Sequence, residues 1–218
     1  MENSSKTAVA DSRARRWLLF GVGLLLAGTG VAMSTRPQLG TSPISSLPYV
    51  TTLCAPWSLG CATVAVNVLF ILVQAWLLGR SFGWRHLLQL PTLVAFGVCI
   101  DLGMWLTSLW VPESYVLRLL ETVLGCAVLA AGIALQLRAD ISMMPGDSLI
   151  RVVSDKWRLQ FGLVKICFDS AIVLSAIAVS LCFLHRVEGV REGTVLAALL
   201  VGTFVRLMGR VVRVRSAR

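Results

Sequence analysis

The sequence predicts an all-α polytopic membrane protein, with about six transmembrane helices in two inverted three-helix repeats. Each repeat is expected to carry a short Pro-initiated half-helix between its first two spans. Three observations carry this. The 218 residues are 56% hydrophobic and 14% charged, against about 25% charged in soluble domains. Several apolar stretches approach or exceed the ~18 residues that cross a bilayer. The chain also matches itself without a gap at an offset of 102 positions, which lays Pro43 on Pro145.

Taken in order, residues 1–16 form a polar tail with Lys6, Arg13, Arg15 and Arg16. No signal-peptide cleavage pattern follows the first apolar run, so that run is read as a retained helix. The first repeat, 17–110, holds spans over Trp17–Ser34, Gly60–Leu78 and Gln89–Trp110. The second, 111–212, holds Tyr115–Leu137, Phe161–Leu184 and Gly193–Val212, and 213–218 is a basic tail. Between the first two spans lies "TRPQLGTSPISSLPYV". Thr41 or Ser42 suits an N-cap, and Pro43 suits the first helical position, where a missing N–H costs nothing. Ile44, Leu47, Val50 and Leu53 then fall on one helical stripe. The Pro43–Cys54 segment reaches only ~18 Å as a helix, too short for a ~30 Å core. Its counterpart starts at Pro145, with Ser142 as a more distant cap candidate.

Lys and Arg set the orientation. The amino-terminal tail, Arg80 and Arg85, the group Arg138, Arg151, Lys156 and Arg158, and the tail with Arg213, Arg215 and Arg218 share one face when six helices alternate. Both termini are therefore expected in the cytoplasm. The opposite face holds Arg36 and, in a short connection, Glu113. Arg186 and Arg191 dissent there, accompanied by Glu188 and Glu192. The net charge of +9 thus follows the bilayer, with no aromatic and basic interleaving of a nucleic-acid surface.

Matched apolar residues mean little between membrane helices, so the repeat rests on other residue types. Gly23 meets Gly125, Gly30 meets Gly132, Arg36 meets Arg138, Ser46 meets Ser148, Gly60 meets Gly162 and Thr92 meets Thr194. Asn67 meets Asp169. Three spans per copy make the second copy enter from the opposite side, the inverted arrangement of many secondary transporters.

The glycine-rich helix running into "STRPQLGTSPISSLP", with its echo at "LRADISMMPGDSL", resembles the YitT/YczE-type family of bacterial integral membrane proteins. The most specific part is "LGTSP" at Leu39–Pro43. The resemblance implies a bacterial inner-membrane location and supplies no reaction.

Two half-helix amino-termini with an Arg upstream of each suggest an anion site made by Arg36, Thr41, Ser42 and Ser46 in one half and Arg138 and Ser148 in the other. Against this, Arg36 and Arg138 sit at helix ends where a cation simply favours the dipole. Asn67 and Asp169 lie about nine residues into their spans, near mid-bilayer, and Lys165 stands one turn from Asp169. Intramembrane ionisable groups face cavities or each other; here the structural alternative is a bond that locks the bundle. Asp101 and Arg206 are expected to form a salt bridge or border an ion or proton path. Asp147 follows the second turn and serves as a cap. The glycines of the first span, Gly21, Gly23, Gly28 and Gly30, point to close helix packing.

Six dispersed cysteines form no CxxC pair, and no cofactor or metal ligand set is expected. No HExxH, GxSxG or paired-carboxylate motif indicates an enzyme. The leading expectation is a small transporter of a polar or anionic solute, embedded in lipid. A non-catalytic membrane partner or assembly factor is the alternative. A homodimer is compatible with six helices, and no motif specifies it. A wet cavity between the halves, lined by Asn67 and Asp169, separates the first reading from the second.

Overall fold

The computed structural model describes residues 2–108 and 113–216, with side chains for 13–84, 86–108 and 113–208. Trp110 and the side chains of Lys6, Arg85, Arg213, Arg215 and Arg218 lie outside these. Among the described residues all regular structure is helical: α1 Glu2–Thr35, α2 Pro43–Cys54, α3 Leu59–Leu78, a 3-10 turn Gly79–Ser81, α4 Trp84–Leu87, α5 Gln89–Thr107, α6 Tyr115–Ala139, α7 Pro145–Trp157, α8 Phe161–Leu184 and α9 Glu192–Ser216.

Five segments are long and apolar enough to cross a membrane: Arg13–Thr35, Leu59–Ser81, Gln89–Thr107, Tyr115–Ala139 and Phe161–Leu184. The expected sixth span falls in α9, which is helical but carries Glu192 and Arg206, with Arg210, Arg213 and Arg215 towards its end.

Element starts recur at the offset read from the sequence. Pro43 and Pro145 begin α2 and α7, and Leu59 and Phe161 begin α3 and α8. Gln38 and Asp140, equivalent positions, both take positive φ, 60° and 48°. Contacts recur as well: α1 packs on α5 and α6 on α9, while α2 packs on α8 and α3 on α7.

The central seam joins α1 to α6. Arg16 reaches Ala139, Gly23 lies on Gly132, and Gly30 lies on Gly125 and Leu129, so the two helices run antiparallel. A Cβ at Gly30 would fall 2.6 Å from the Leu129 Cα, and one at Gly132 would fall 2.6 Å from the Gly23 carbonyl oxygen. The Gly23–Gly132 contact is the image of Gly125–Gly30 when the halves are exchanged. Small residues permit this backbone approach, which in a bilayer supplies packing energy that apolar transfer cannot. Gly28 lies equally close to Cys99 and Ile100 of α5, but Gly21 has open space around it. The expectation of close packing therefore holds for Gly23, Gly28 and Gly30 and not for Gly21.

Candidate functional site

Each half-helix is preceded by a turn whose backbone the sequence dictates locally. In the first, Gln38 is left-handed, Gly40 has φ 106° and Ser42 is the N-cap before Pro43. The Ser42 hydroxyl does not cap the backbone; it donates to Ser45 Oγ at 2.9 Å. Thr41 and Thr35 share a hydroxyl bond of 2.7 Å, and Ser46 Oγ donates to the Pro43 carbonyl at 2.6 Å. In the second turn Met144 is the N-cap, which displaces Ser142 from the cap role expected of it. The expected α2 stripe is graded: Val50 is buried, Ile44 and Leu47 are half-buried, and Leu53 is exposed. Burial pushes the Tyr49 hydroxyl of α2 above its usual pKa, with Glu188 adding and Arg191 opposing.

The two half-helices meet at their amino ends. The Ile44 side chain of α2 rests on Gly146 of α7, and these are equivalent positions. Each is the second residue of its helix. The positive dipole ends of both helices thus lie near one another.

Beside this point, Lys165 lies 3.3 Å from Asp169 Oδ2 and 3.6 Å from Asp147 Oδ1. The expected Lys165–Asp169 pair is present, and Asp147 joins it from α7. The equivalent residues in the first half are Ser45, Thr63 and Asn67, all neutral and buried. Asn67 Nδ2 donates to the Thr63 carbonyl at 2.9 Å. Asn67 and Asp169 are not bonded to each other. Val66, Phe70, Leu149 and Ile172 form a buried apolar cluster, with Phe168 against Phe70.

A cleft of about 820 Å³ opens at the second turn, lined among others by Gln89, Ser142, Met143, Ser148, Arg151 and Lys156. At Gln89 and Ser148 it abuts a closed network. Gln74 Nε2 donates to the Pro145 carbonyl at 3.0 Å, Ser148 Oγ donates to Gln74 Oε1 at 2.9 Å, and Gln89 Nε2 donates to Ser148 Oγ at 3.0 Å. All three side chains are buried. Gln74 and Gln89 were not legible as site residues, because an isolated amide near a span end looks like an interfacial group.

Arg36 donates to the Met104 carbonyl at 3.1 Å and the Ser108 carbonyl at 3.3 Å, holding the carboxy end of α5. Arg138 is half-buried at the end of α6. Asp101 does not pair with Arg206, which is exposed. Its carboxylate accepts from Gly60 N and Ser58 Oγ, both at 2.7 Å, and so caps α3 across the helix interface. Replacing Asp101 by Ala is expected to cost about 1–2 kcal/mol in a thermal melt of the purified protein. Arg206→Gln leaves the melt unchanged; equal losses from both would restore the ion pair. No group of three or more potential metal ligands occurs among the described residues.

These features define a helical protein with five candidate membrane-spanning helices and paired Pro-initiated short helices. Within that class, the chain belongs to the family of unknown function DUF6198, whose model matches residues 14–210. It is similar to "Uncharacterized protein YyaS" of Bacillus subtilis (strain 168), at 23% identity over 141 residues, covering 64% of this chain and 69% of that protein. No solved structure matches it.

Proposed function

We propose that the chain is a small secondary-transporter-like protein of the bacterial inner membrane, built from two inverted three-helix halves with α9 as the sixth span. Its cargo is a small polar or anionic solute. The single observation that carries this is the head-to-head meeting of the α2 and α7 amino ends beside the Asp147–Lys165–Asp169 cluster. Discontinuous helices of this kind supply positive ends for anionic groups in inverted-repeat transporters. The antiparallel α1–α6 seam, with contacts that map onto each other when the halves exchange, supports the inversion. The clustering of Arg and Lys supports a cytoplasmic position for both termini and for the cleft beside Arg151 and Lys156. The "LGTSP" likeness to YitT/YczE-type proteins agrees with this location.

The test is reconstitution in liposomes, with a solute panel screened first by thermal-shift stabilisation and then by uptake. Saturable uptake of a stabilising solute supports the reading; its absence across the panel removes it. A second reading, a non-catalytic membrane partner or assembly factor, is favoured by the buried apolar cluster of Val66, Phe70, Leu149 and Ile172. On that reading Asp169→Asn leaves function intact while surface changes abolish capture of the partner.

A further inference from the structure

We infer that the two turns have different jobs: the second, at Ser142 and Met143, is the access side of the protein, and the first, Gln38–Ser42, is an anchor sealed by Arg191, Gly193 and Gly40. Equivalent residues differ sharply in surroundings. Leu39, Gly40, Thr41 and Ser42 are buried, whereas Ile141, Ser142, Met143 and Met144 are half-exposed, the first three of them lining the cleft.

The sequence encodes the difference in hydrogen-bond donors. In the first turn Gly193 N donates to the Leu39 carbonyl at 2.7 Å, and Arg191 Nη1 donates to the Gln38 carbonyl at 3.2 Å. The position equivalent to Gly193 is Pro91, which has no N–H to give the second turn. The position equivalent to Arg191 is Gln89, whose amide is committed to Ser148 and Gln74. Gly40 lets α9 approach so closely that a Cβ would fall 2.5 Å from Thr194 Oγ1, and its equivalent is Ser142. Arg16 of α1 holds the base of the second turn through the Ala139 and Asp140 carbonyls. Beyond it, among the described residues, Ser142 Oγ donates to the neighbouring Met143 carbonyl at 3.5 Å, and Arg151 Nη1 donates to Met143 Sδ at 3.4 Å.

The assignment rests on the cleft being the way to the central site, but its test reads accessibility and needs no transport. Full-length protein with its six native cysteines replaced receives either Thr41→Cys or Met143→Cys, which are equivalent positions. Each is reacted with a membrane-impermeant maleimide in open membrane fragments that expose both faces. Met143→Cys is expected to react at least ~30-fold faster, since a buried turn must open before it is labelled. Gly40→Ala or Arg191→Ala then speeds labelling of Thr41→Cys by about tenfold or more and leaves that of Met143→Cys unchanged. Ser142→Ala, the equivalent of Gly40→Ala, alters neither. If Gly40→Ala does not yield monodisperse protein, Arg191→Ala alone decides. Equal rates for the two thiols in the parent, or no response of Thr41→Cys to a folded anchor variant, overturns the inference. Loss of the transport reading with these rates intact would leave the asymmetry standing and remove only its purpose.

Discussion

Gly30→Ala will lower the melting temperature of the purified protein sharply, while Gly21→Ala will hold or raise it. Both glycines lie on α1, so helix propensity favours alanine at each by about 1 kcal/mol. What separates them is the seam. A Cβ at Gly30 would collide with the Leu129 backbone, which cannot rotate aside as a flexible side chain could. Nothing lies within 4 Å of one at Gly21. Forcing the helices apart costs roughly 1–3 kcal/mol for overpacking alone, and in lipid no apolar transfer compensates for the lost close packing. Gly132→Ala, the image of Gly30→Ala in the other half, should lose a similar amount. Equal melts for the Gly30 and Gly21 variants would mean that α1 and α6 do not cross where the structure puts them.

The second large effect concerns Lys165. Lys165→Met leaves Asp147 and Asp169 facing each other without their cation, in side chains that keep 40% and 25% of their surface. Removing one partner of a buried pair costs about 3–5 kcal/mol and of an exposed pair under 1 kcal/mol; this half-exposed site should lose roughly 1–3 kcal/mol. The first half shows how the same place is built without charge, from Ser45, Thr63 and Asn67. The triple variant Asp147→Ser, Lys165→Thr, Asp169→Asn should therefore recover most of the stability that Lys165→Met loses. It should also lose uptake of any solute that the native protein carries. A stable triple variant with full uptake would show that the charges lock α7 to α8 and do nothing more.

What the sequence revealed and what it hid follow from the reach of each signal. The half-helix starts were legible because Pro43 and Pro145 act locally, through a fixed φ and an absent N–H. The Lys165–Asp169 pair was legible because one helical turn separates them. Asp101 does not form the expected pair with Arg206: its partners, Gly60 N and Ser58 Oγ, become neighbours only through the α3–α5 crossing, and no periodicity within one helix reports that. The same limit hid Gln74, which meets Ser148 only because α7 folds back onto α3. Arg36 reaches the Met104 and Ser108 carbonyls at the end of α5, neighbours that its place on α1 does not report. Asn67 and Asp169 share the 102-position offset, yet no bond joins them, and Val66, Phe70, Leu149 and Ile172 form a buried apolar cluster.

In the proposed transporter the two halves face opposite sides of the membrane. Trp57 and Leu159 are equivalent and both exposed, just ahead of α3 and α8. With the native cysteines replaced, Trp57→Cys and Leu159→Cys are each labelled by an impermeant maleimide in sealed vesicles of known orientation. With inverted halves, Leu159→Cys reacts only from the cytoplasmic face and Trp57→Cys only from the other. Reaction of both thiols from the same face would contradict it.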